Sequence, residues 1–393
     1  MSASNNPVDA LDAELRLEDD ARATEDGHSR YRLPNPPARI SSSDLPEIFA
    51  FAEAAGFSDL HVRTGMAPYI KVKLRLYKLV ERALIQSEVE EFLNTIYGAN
   101  GSAEVMSGRP LDFAYEARPE RGVRYRYRVN AKACYVEGGR GIKLSIRAIS
   151  SRPPSIDKLG LEPEIMDAFS PNQGVVLVTG PTGSGKSTLL AAGIRSLIEE
   201  PGANRIITTY ESPIEYTYES LNAHGVVVSQ SEIGRDLPTF AAGVRNAMRE
   251  DPDIILVGEA RDAETVEAVV EASMTGHLVY STVHSRGVAE TVRRLFARLN
   301  KDSGITEPDI LDALRLVVSQ RLIPRLGGGV VALREFLAFT PAIREQLLDT
   351  PALEIPSTVR RLVEAHGKSL AMDAKIKYDA GLIDAYQLKL FMG

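Results

Sequence analysis

The 393-residue chain has a single cysteine, Cys134, and no tryptophan. One thiol excludes an internal disulfide. It equally excludes a structural zinc site of the four-cysteine or two-cysteine, two-histidine kind, since each needs at least a pair. An excess of basic charge is also missing: 46 Lys and Arg stand against 53 Asp and Glu, a formal net charge of −7. General affinity for nucleic acid comes largely from neutralising phosphates with cations, so nucleic acid is not expected as a partner. Long apolar runs are absent too. VVLV at 175–178 and IILV at 254–257 are strand-sized, far below the roughly 18 residues of a membrane span. The amino terminus, MSASNNPVDALDAEL, has neither a basic start nor an apolar core and does not read as a secretory signal. These absences point to a cytoplasmic protein that meets a membrane, if at all, from the water side.

Length sets an expectation of two or three domains. Residues 1–42 carry Asp9, Asp12, Glu14, Glu18, Asp19, Asp20, Glu25 and Asp26, few large apolar side chains, and Pro34, Pro36 and Pro37. They read as a disordered acidic tail. Order is expected from Ser43, where Asp44 and Glu47 have capping-box spacing ahead of Ile48, Phe49 and Phe51. Period-two alternation over 69–80, 111–117, 125–136 and 142–149 predicts strands with one wet face. Val89, Phe92, Leu93 and Ile96 form the stripe of a helix opened by Ser87 and Glu90 and stopped by Gly98. Residues 43–150 thus read as a small α+β domain, with Cys134 a core residue of one strand. The proline-broken stretch 151–163 reads as a linker. Over 164–393 buried apolar strands alternate with helical patterns, the signature of an α/β fold on a parallel sheet, with short helices expected near 359–367 and 379–391.

The chemistry is carried by GxxxxGK[ST]: Gly180, Pro181, Thr182, Gly183, Ser184, Gly185, Lys186 and Ser187, with Thr188 opening the helix that follows. A strand-like run precedes it, which is the context of a P-loop. Its glycines let backbone N–H groups face phosphates, Lys186 is expected to reach the β- and γ-phosphates of ATP, and Ser187 to bind Mg²⁺. Hydrolysis also needs an oriented water. Glu259, where the IILVG strand ends at the carboxyl edge of the sheet, is the candidate to position it. TTYESPIEY adds Glu211 and Glu215, and GHLVYSTVHS adds His277 and His284 as candidates for sensing the γ-phosphate. A lone histidine is as readily a structural hydrogen-bonding group.

Taken in order, the 180–187 loop, TTYESPIEY, RNAMREDPDIILVGEARDAET and TGHLVYSTVHS resemble the Walker A, Asp box, Walker B and His box of the secretion ATPase superfamily that includes the pilus retraction motors. SDLHVRTGMAP and YRVNAKACYVEGGRGIKLSIRAI look like its PAS-like amino-terminal domain. Without a cysteine cluster the chain resembles the compact, PilT-like retraction branch rather than the zinc-bearing assembly motors. ALREFLAFTPAIREQL, over 332–347, is similar to the DotB and TraJ ATPases of type IVB secretion and conjugation.

The resemblance implies a RecA-like P-loop ATPase domain behind a smaller PAS-like α+β domain, assembled as a homohexameric ring. It implies a motor for a type IVB (Dot/Icm-like) secretion system, recruited to the inner membrane by secretion-complex ATPases or coupling proteins. A type IV pilus retraction motor and a nucleotide-gated scaffold with slow hydrolysis are the alternatives. Arg128, Arg140 and Arg147 would complete a neighbour's site, although Arg124, Arg126 and Arg128 also alternate as a strand's wet face would. The usual EDP of the Asp box reads Glu211, Ser212, Pro213 here. Glu211 is therefore expected to carry the carboxylate role, with Mg²⁺ held by Ser187 and, through water, by Glu211 and Glu259.

Overall fold

The computed structural model describes residues 30–72, 75–119, 123–149, 152–221, 225–300 and 304–392. The acidic residues expected to form the tail, from Asp9 to Asp26, lie outside the described residues. Two compact units meet in sequence between residues 151 and 152.

The first unit is built from α1 (Leu45–Ala54), β1 (Asp59–Arg63), β2 (Tyr69–Val72), β3 (Arg75–Lys78), α2 (Gln86–Tyr97), α3 (Gly101–Met106), β4 (Leu111–Ala117), β5 (Tyr125–Val136) and β6 (Gly139–Ile149). Its strands form one antiparallel sheet in the order β3-β2-β1-β6-β5-β4. Alternate residues of β5 and β6, among them Tyr127, Val129, Leu144 and Ile146, are buried with Phe49 of α1 and Leu93 of α2, the period-two pattern of a sheet covered on one face. The alternation over 69–80 resolves into the β2–β3 hairpin, with Val72 opposite Arg75.

Four expectations for this unit change, the last being that the second helix is capped by Glu88 and not opened by Ser87 and Glu90. The fold begins before Ser43: Tyr31, Leu33 and Ile40 are buried, and the Leu33 N–H donates to the Leu79 carbonyl at 2.9 Å. The prolines between them prevent regular structure without detaching the chain. The first cap is made by Asp44, which accepts from the Ser41 N–H at 2.7 Å, not by Glu47. Cys134, half-buried, shares the parity of the exposed Asn130 and Lys132 on β5, so it stands on the outward face and not in the core.

The second cap is made by Glu88. Its side chain, 1% exposed, takes two contacts from Arg82 at 2.6 and 2.9 Å and accepts from the Ile85 and Ile40 N–H groups at 2.9 and 2.7 Å. It thereby ties the start of α2 to the segment at Ile40. Burial alone would raise its pKa, but Arg82 and the two amides outweigh it and hold the carboxyl below the usual range.

The second unit contains α4 (Pro163–Phe169), β7 (Gly174–Thr179), α5 (Lys186–Glu199), β8 (Arg205–Glu211), β9 (Val226–Glu232), α6 (Phe240–Ala247), β10 (Ile254–Val257), α7 (Ala263–Met274), β11 (Leu278–Val283), α8 (Val288–Phe296), α9 (Glu307–Ala313), β12 (Leu314–Pro324), β13 (Val330–Ala338), α10 (Pro341–Leu348), α11 (Ile355–His366), α12 (Leu370–Asp379) and α13 (Ala385–Lys389). The sheet runs β13-β12-β7-β11-β10-β8-β9, parallel throughout except for β13. Val175 and Leu177 of β7 enter one core and Val176 and Val178 the other, so both faces are covered and the strands read as unbroken apolar runs. The helical expectation over 379–391 shortens to α13, because Gly381 adopts a φ of +68° and Asp384 starts a new helix by accepting from the Gln387 N–H.

The stretch expected as a linker is fastened to this second unit. Ile156 is buried, Leu159 and Leu161 pack on the core containing Phe169 and Val176, and Arg195 of α5 donates to the Pro153 carbonyl at 2.8 Å.

Glu88→Gln is expected to destabilise the first unit by about 2–3 kcal/mol at pH 7, through loss of the charged pair with partly exposed Arg82. A carboxyl with a depressed pKa stabilises the fold above its unfolded value and ceases to do so as pH falls through the folded one. The difference between variant and wild type in urea-unfolding midpoint should therefore shrink below about pH 4.

Candidate active site

Residues 180–187 join β7 to α5 at the carboxyl edge of the mixed sheet. Gly180 has a φ of +144°, and a Cβ there would lie 2.3 Å from the Gln320 carbonyl oxygen of β12, so glycine is required both by conformation and by space. Lys186, 8% exposed, donates to the carbonyls of Gly180 and Pro181 at 3.1 and 3.0 Å. Burial pushes its pKa down, and the carboxylates of Glu259 and Glu215 pull against that shift. Ser187 is exposed in the first turn of α5, and the Thr188 hydroxyl lies 3.0 Å from that of Tyr216.

The acidic side of the site is set by strand ends. The Gly258 N–H donates to the Tyr210 carbonyl at 2.8 Å, prolonging the β8–β10 pairing, so Glu211 and Glu259 leave neighbouring strands together. Thr282 at the end of β11 donates to the Gly258 carbonyl at 2.6 Å and fixes the turn that presents Glu259. Glu211 is held from within its own neighbourhood: Thr209 and Gln230 donate to Oε1 at 2.8 and 3.1 Å. Beyond β8 the chain continues through Ile214, whose N–H donates to Glu232, and delivers Glu215 to the electrostatic neighbourhood of Lys186. Glu211 thus belongs to a hydroxyl and amide web, while Glu215 and Glu259 act on the lysine through their charge. Arg298, which sequence reasoning missed, donates to the Ala260 carbonyl at 3.1 Å; burial lowers its pKa, a nearby Arg294 adds to that, and Glu259 opposes it.

Beside the loop opens a cavity of about 850 Å³ lined by Gly180, Thr182, His284, Arg286, Arg294 and Glu335 among others. Glu335 of β13 accepts from the Val288 N–H at 2.6 Å and so caps α8. A Cβ on Gly287 would lie 2.8 Å from Glu335 Oε1, which makes the absence of a side chain there part of the cap. Burial raises the Glu335 pKa against the donations from Val288 and Leu370.

Residues 45–345 match the model of the family described as Type II/IV secretion system protein. The chain belongs to this family. It is 35% identical over 318 residues to the type IV pilus retraction ATPase PilT of Pseudomonas aeruginosa, covering 81% of this chain and 89% of that protein. Among solved structures it is similar to the ATPase DotB of Legionella pneumophila, with a TM-score of 0.87, 43% identity and coverage of 91% and 98% of the two chains. The pilus retraction motor PilT with bound ADP is similar at a TM-score of 0.75 and 31% identity, with coverage of 88% and 95%.

Within this secretion-family chain the two histidines part company. His284 follows β11 at the carboxyl edge, its Nε2 3.7 Å from Glu259 Oε1. His277 precedes β11 and stands at the opposite edge, where Leu278 pairs with Gly174, whereas Val283 pairs with Thr179 at the carboxyl edge. A strand of this length separates it from its own loop by roughly 17 Å. It is instead bonded to the Ala272 carbonyl and the Thr275 hydroxyl at 3.0 and 3.1 Å, so a phosphate-sensing role at the loop of the same subunit is corrected to a structural one.

The arginines of the first unit also divide. Arg128 and Arg147 are directly opposite on β5 and β6, paired with Asp112 and Asp59 at 2.7 and 2.9 Å. Arg140 is opposite Tyr135, seven residues farther along the strand and roughly 23 Å away. Arg126 is 6% exposed, so the alternating arginines do not form a uniformly wet face.

Gly180→Ala should cost about 2–3 kcal/mol of stability through the clash with β12 and the unfavourable φ. A chemical-denaturation midpoint equal to the wild type would show that the loop can relax away from Gln320.

Proposed function

We propose that the chain is an ATP-hydrolysing motor subunit. The observation that carries this reading is Lys186, buried in a glycine-rich loop at the carboxyl edge of the sheet and bonded to the loop carbonyls of Gly180 and Pro181. A Cβ at Gly180 or Gly185 would come within 3 Å of Gln320, so the glycines let the loop close onto β12, and the nearby donors, Ser187, Glu211 and Glu259, are all oxygens, which suits Mg²⁺. When bound, Mg²⁺ supplies charge neutralisation on the phosphate oxygens. Ser187 would hold it directly, and Glu211 and Glu259 through water. Lys186 then turns from the Gly180 and Pro181 carbonyls to the phosphates. Glu259, fixed through Thr282, orients the attacking water and accepts its proton. His284 is within reach to hold Glu259 in that orientation.

The subunit acts in a homohexamer with a RecA-like ATPase domain and a PAS-like amino-terminal domain. Arg128 and Arg147 of one subunit leave Asp112 and Asp59 to complete the site of a neighbour. Because residues 152–163 are tied to the second unit, they travel with it when the two domains move. The work is done in the cytoplasm at the inner membrane, for a type IVB (Dot/Icm-like) secretion system, where secretion-complex ATPases or coupling proteins recruit the ring. Similarity to DotB over 98% of that chain supports this assignment. A pilus retraction motor is the second reading, favoured by 35% identity to PilT over 89% of its length.

Glu259→Gln should keep ATP binding while turnover falls by about 10²- to 10⁴-fold, and near-normal phosphate release by that variant would sink the water-positioning role. Arg128→Ala should lower turnover of the assembled ring by about 10³-fold, with sedimentation showing that the ring persists. Affinity purification of the native ring separates the two machines: secretion-channel ATPases and coupling proteins support export, pilus platform proteins support retraction.

A further inference from the structure

Behind the glycine-rich loop lies a buried polar chain that the proposed hydrolysis does not use. Gln320 of β12, 4% exposed, donates from Nε2 to the Ser184 carbonyl of the loop at 2.7 Å. Its Oε1 accepts from Arg334 Nε of β13 at 2.8 Å. Arg334 is 2% exposed, and its remaining guanidinium nitrogens donate to the Gly160 and Leu159 carbonyls at 2.8 and 2.7 Å and approach Glu162 at 3.4 Å. The Arg334 backbone N–H donates to Asp373 of α12 at 2.9 Å, and Lys368 closes the circuit between Glu162 and Asp373 at 2.5 and 2.7 Å. A loop carbonyl is thus linked, through two side chains, to the segment 159–162 that follows the first unit and to the carboxy-terminal helices.

Such a chain can transmit displacement because its members are bonded to one another in a low-dielectric interior, where breaking those bonds is costly. A guanidinium buried to this degree must keep its acceptors, so a movement of the loop that shifts Gln320 obliges Arg334 to follow or to exchange bonds. The amide of Gln320 is suited to the middle position, since it donates on one side and accepts on the other.

We propose that Gln320 and Arg334 are positioning residues that couple the state of the glycine-rich loop to residues 156–162 and to α12. This rests on the reading that the loop binds nucleotide. A parallel route exists through α5, whose Arg195 holds the Pro153 carbonyl, and the two routes are separable by mutation.

Gln320→Glu keeps the shape and the acceptor toward Arg334 but places an oxygen against the Ser184 carbonyl, so only the loop end of the chain is cut. The full-length protein would be compared with and without a non-hydrolysable ATP analogue and Mg²⁺ by backbone hydrogen exchange. In the wild type the analogue should slow exchange in 180–187 and change it by about 5-fold or more in 156–162 and 370–376. Gln320→Glu should retain the loop protection and lose the distant response, with kcat for ATP down about 10-fold and KM within about 3-fold. Gln320→Met, apolar and of similar length, cuts both ends of the chain because it also removes the acceptor of Arg334 Nε; it should likewise lose the distant response and serves if the glutamate variant fails to fold. A distant response as large as the wild type in either folded variant would overturn the relay. Loop protection in the wild type without any change at 156–162 would overturn it while leaving nucleotide binding intact. No protection at 180–187 would overturn the nucleotide reading and the relay with it.

Discussion

The position of β12 beside β7 is the constraint on which the site depends. Parallel pairing runs from Leu314 opposite Val175 to Ser319 opposite Thr179, so the next residue of each strand, Gln320 and Gly180, are forced together where the glycine-rich loop leaves the sheet. There is room for that crossing only because residue 180 has no Cβ. The loop is then supported from behind by a strand, and its open side is left to Lys186, the strand-end carboxylates and the cavity lined by Arg286 and Arg294. A rigid backing of this kind preorganises the loop's amides, which is what electrostatic catalysis asks of a scaffold.

The carboxyl edge is kept in register by small hydrogen-bonded groups more than by large apolar ones. Thr179 at the end of β7 meets Thr291 of α8, which in turn lies 2.6 Å from the Ser285 hydroxyl, all of them buried. Thr282 performs the same service for Gly258. These hydroxyls satisfy backbone and side-chain groups that water cannot reach, and they fix the turns carrying His284 and Glu259 relative to the loop. The opposite edge of the sheet, where His277 sits, is arranged around Gly174 and the start of β7 and shares none of this machinery.

Most of the sheet architecture was legible in the sequence because burial imposes periodicity. The 111–117 and 125–136 patterns coincide with β4 and β5, and VVLV and IILV mark β7 and β10. The loop and the position of Glu259 were legible because a GxxxxGK[ST] run and a carboxylate at the end of an apolar strand are local residue patterns. What escaped was whatever depends on distant chain segments meeting. Gln320, Arg334 and Arg298 have no local signature, since their partners are 136, 174 and 38 residues away for the Ser184, Gly160 and Ala260 contacts. Nothing local in TTYESPIEY distinguishes Glu215 from Glu211; it is the fold that puts the charge of Glu215 to work on Lys186. His277 and His284 looked equivalent because a strand's two ends are close in sequence and far apart in space. The prolines near residue 36 and in 151–163 suggested loose chain, yet a stretch without regular hydrogen bonding can still be anchored by buried side chains such as Leu33, Ile40 and Ile156.

The fastening of residues 152–163 bears on how the chain can be divided or recombined. A cut at the end of the proline-containing stretch, just before α4, would remove the Leu159 and Gly160 carbonyls that Arg334 needs and leave a buried cation facing empty space. The natural seam between modules lies earlier, ahead of Pro153. An exchange of amino-terminal modules between relatives would have to carry this dozen residues with the carboxy-terminal module, so the unit of inheritance is longer than the helices and strands alone would define.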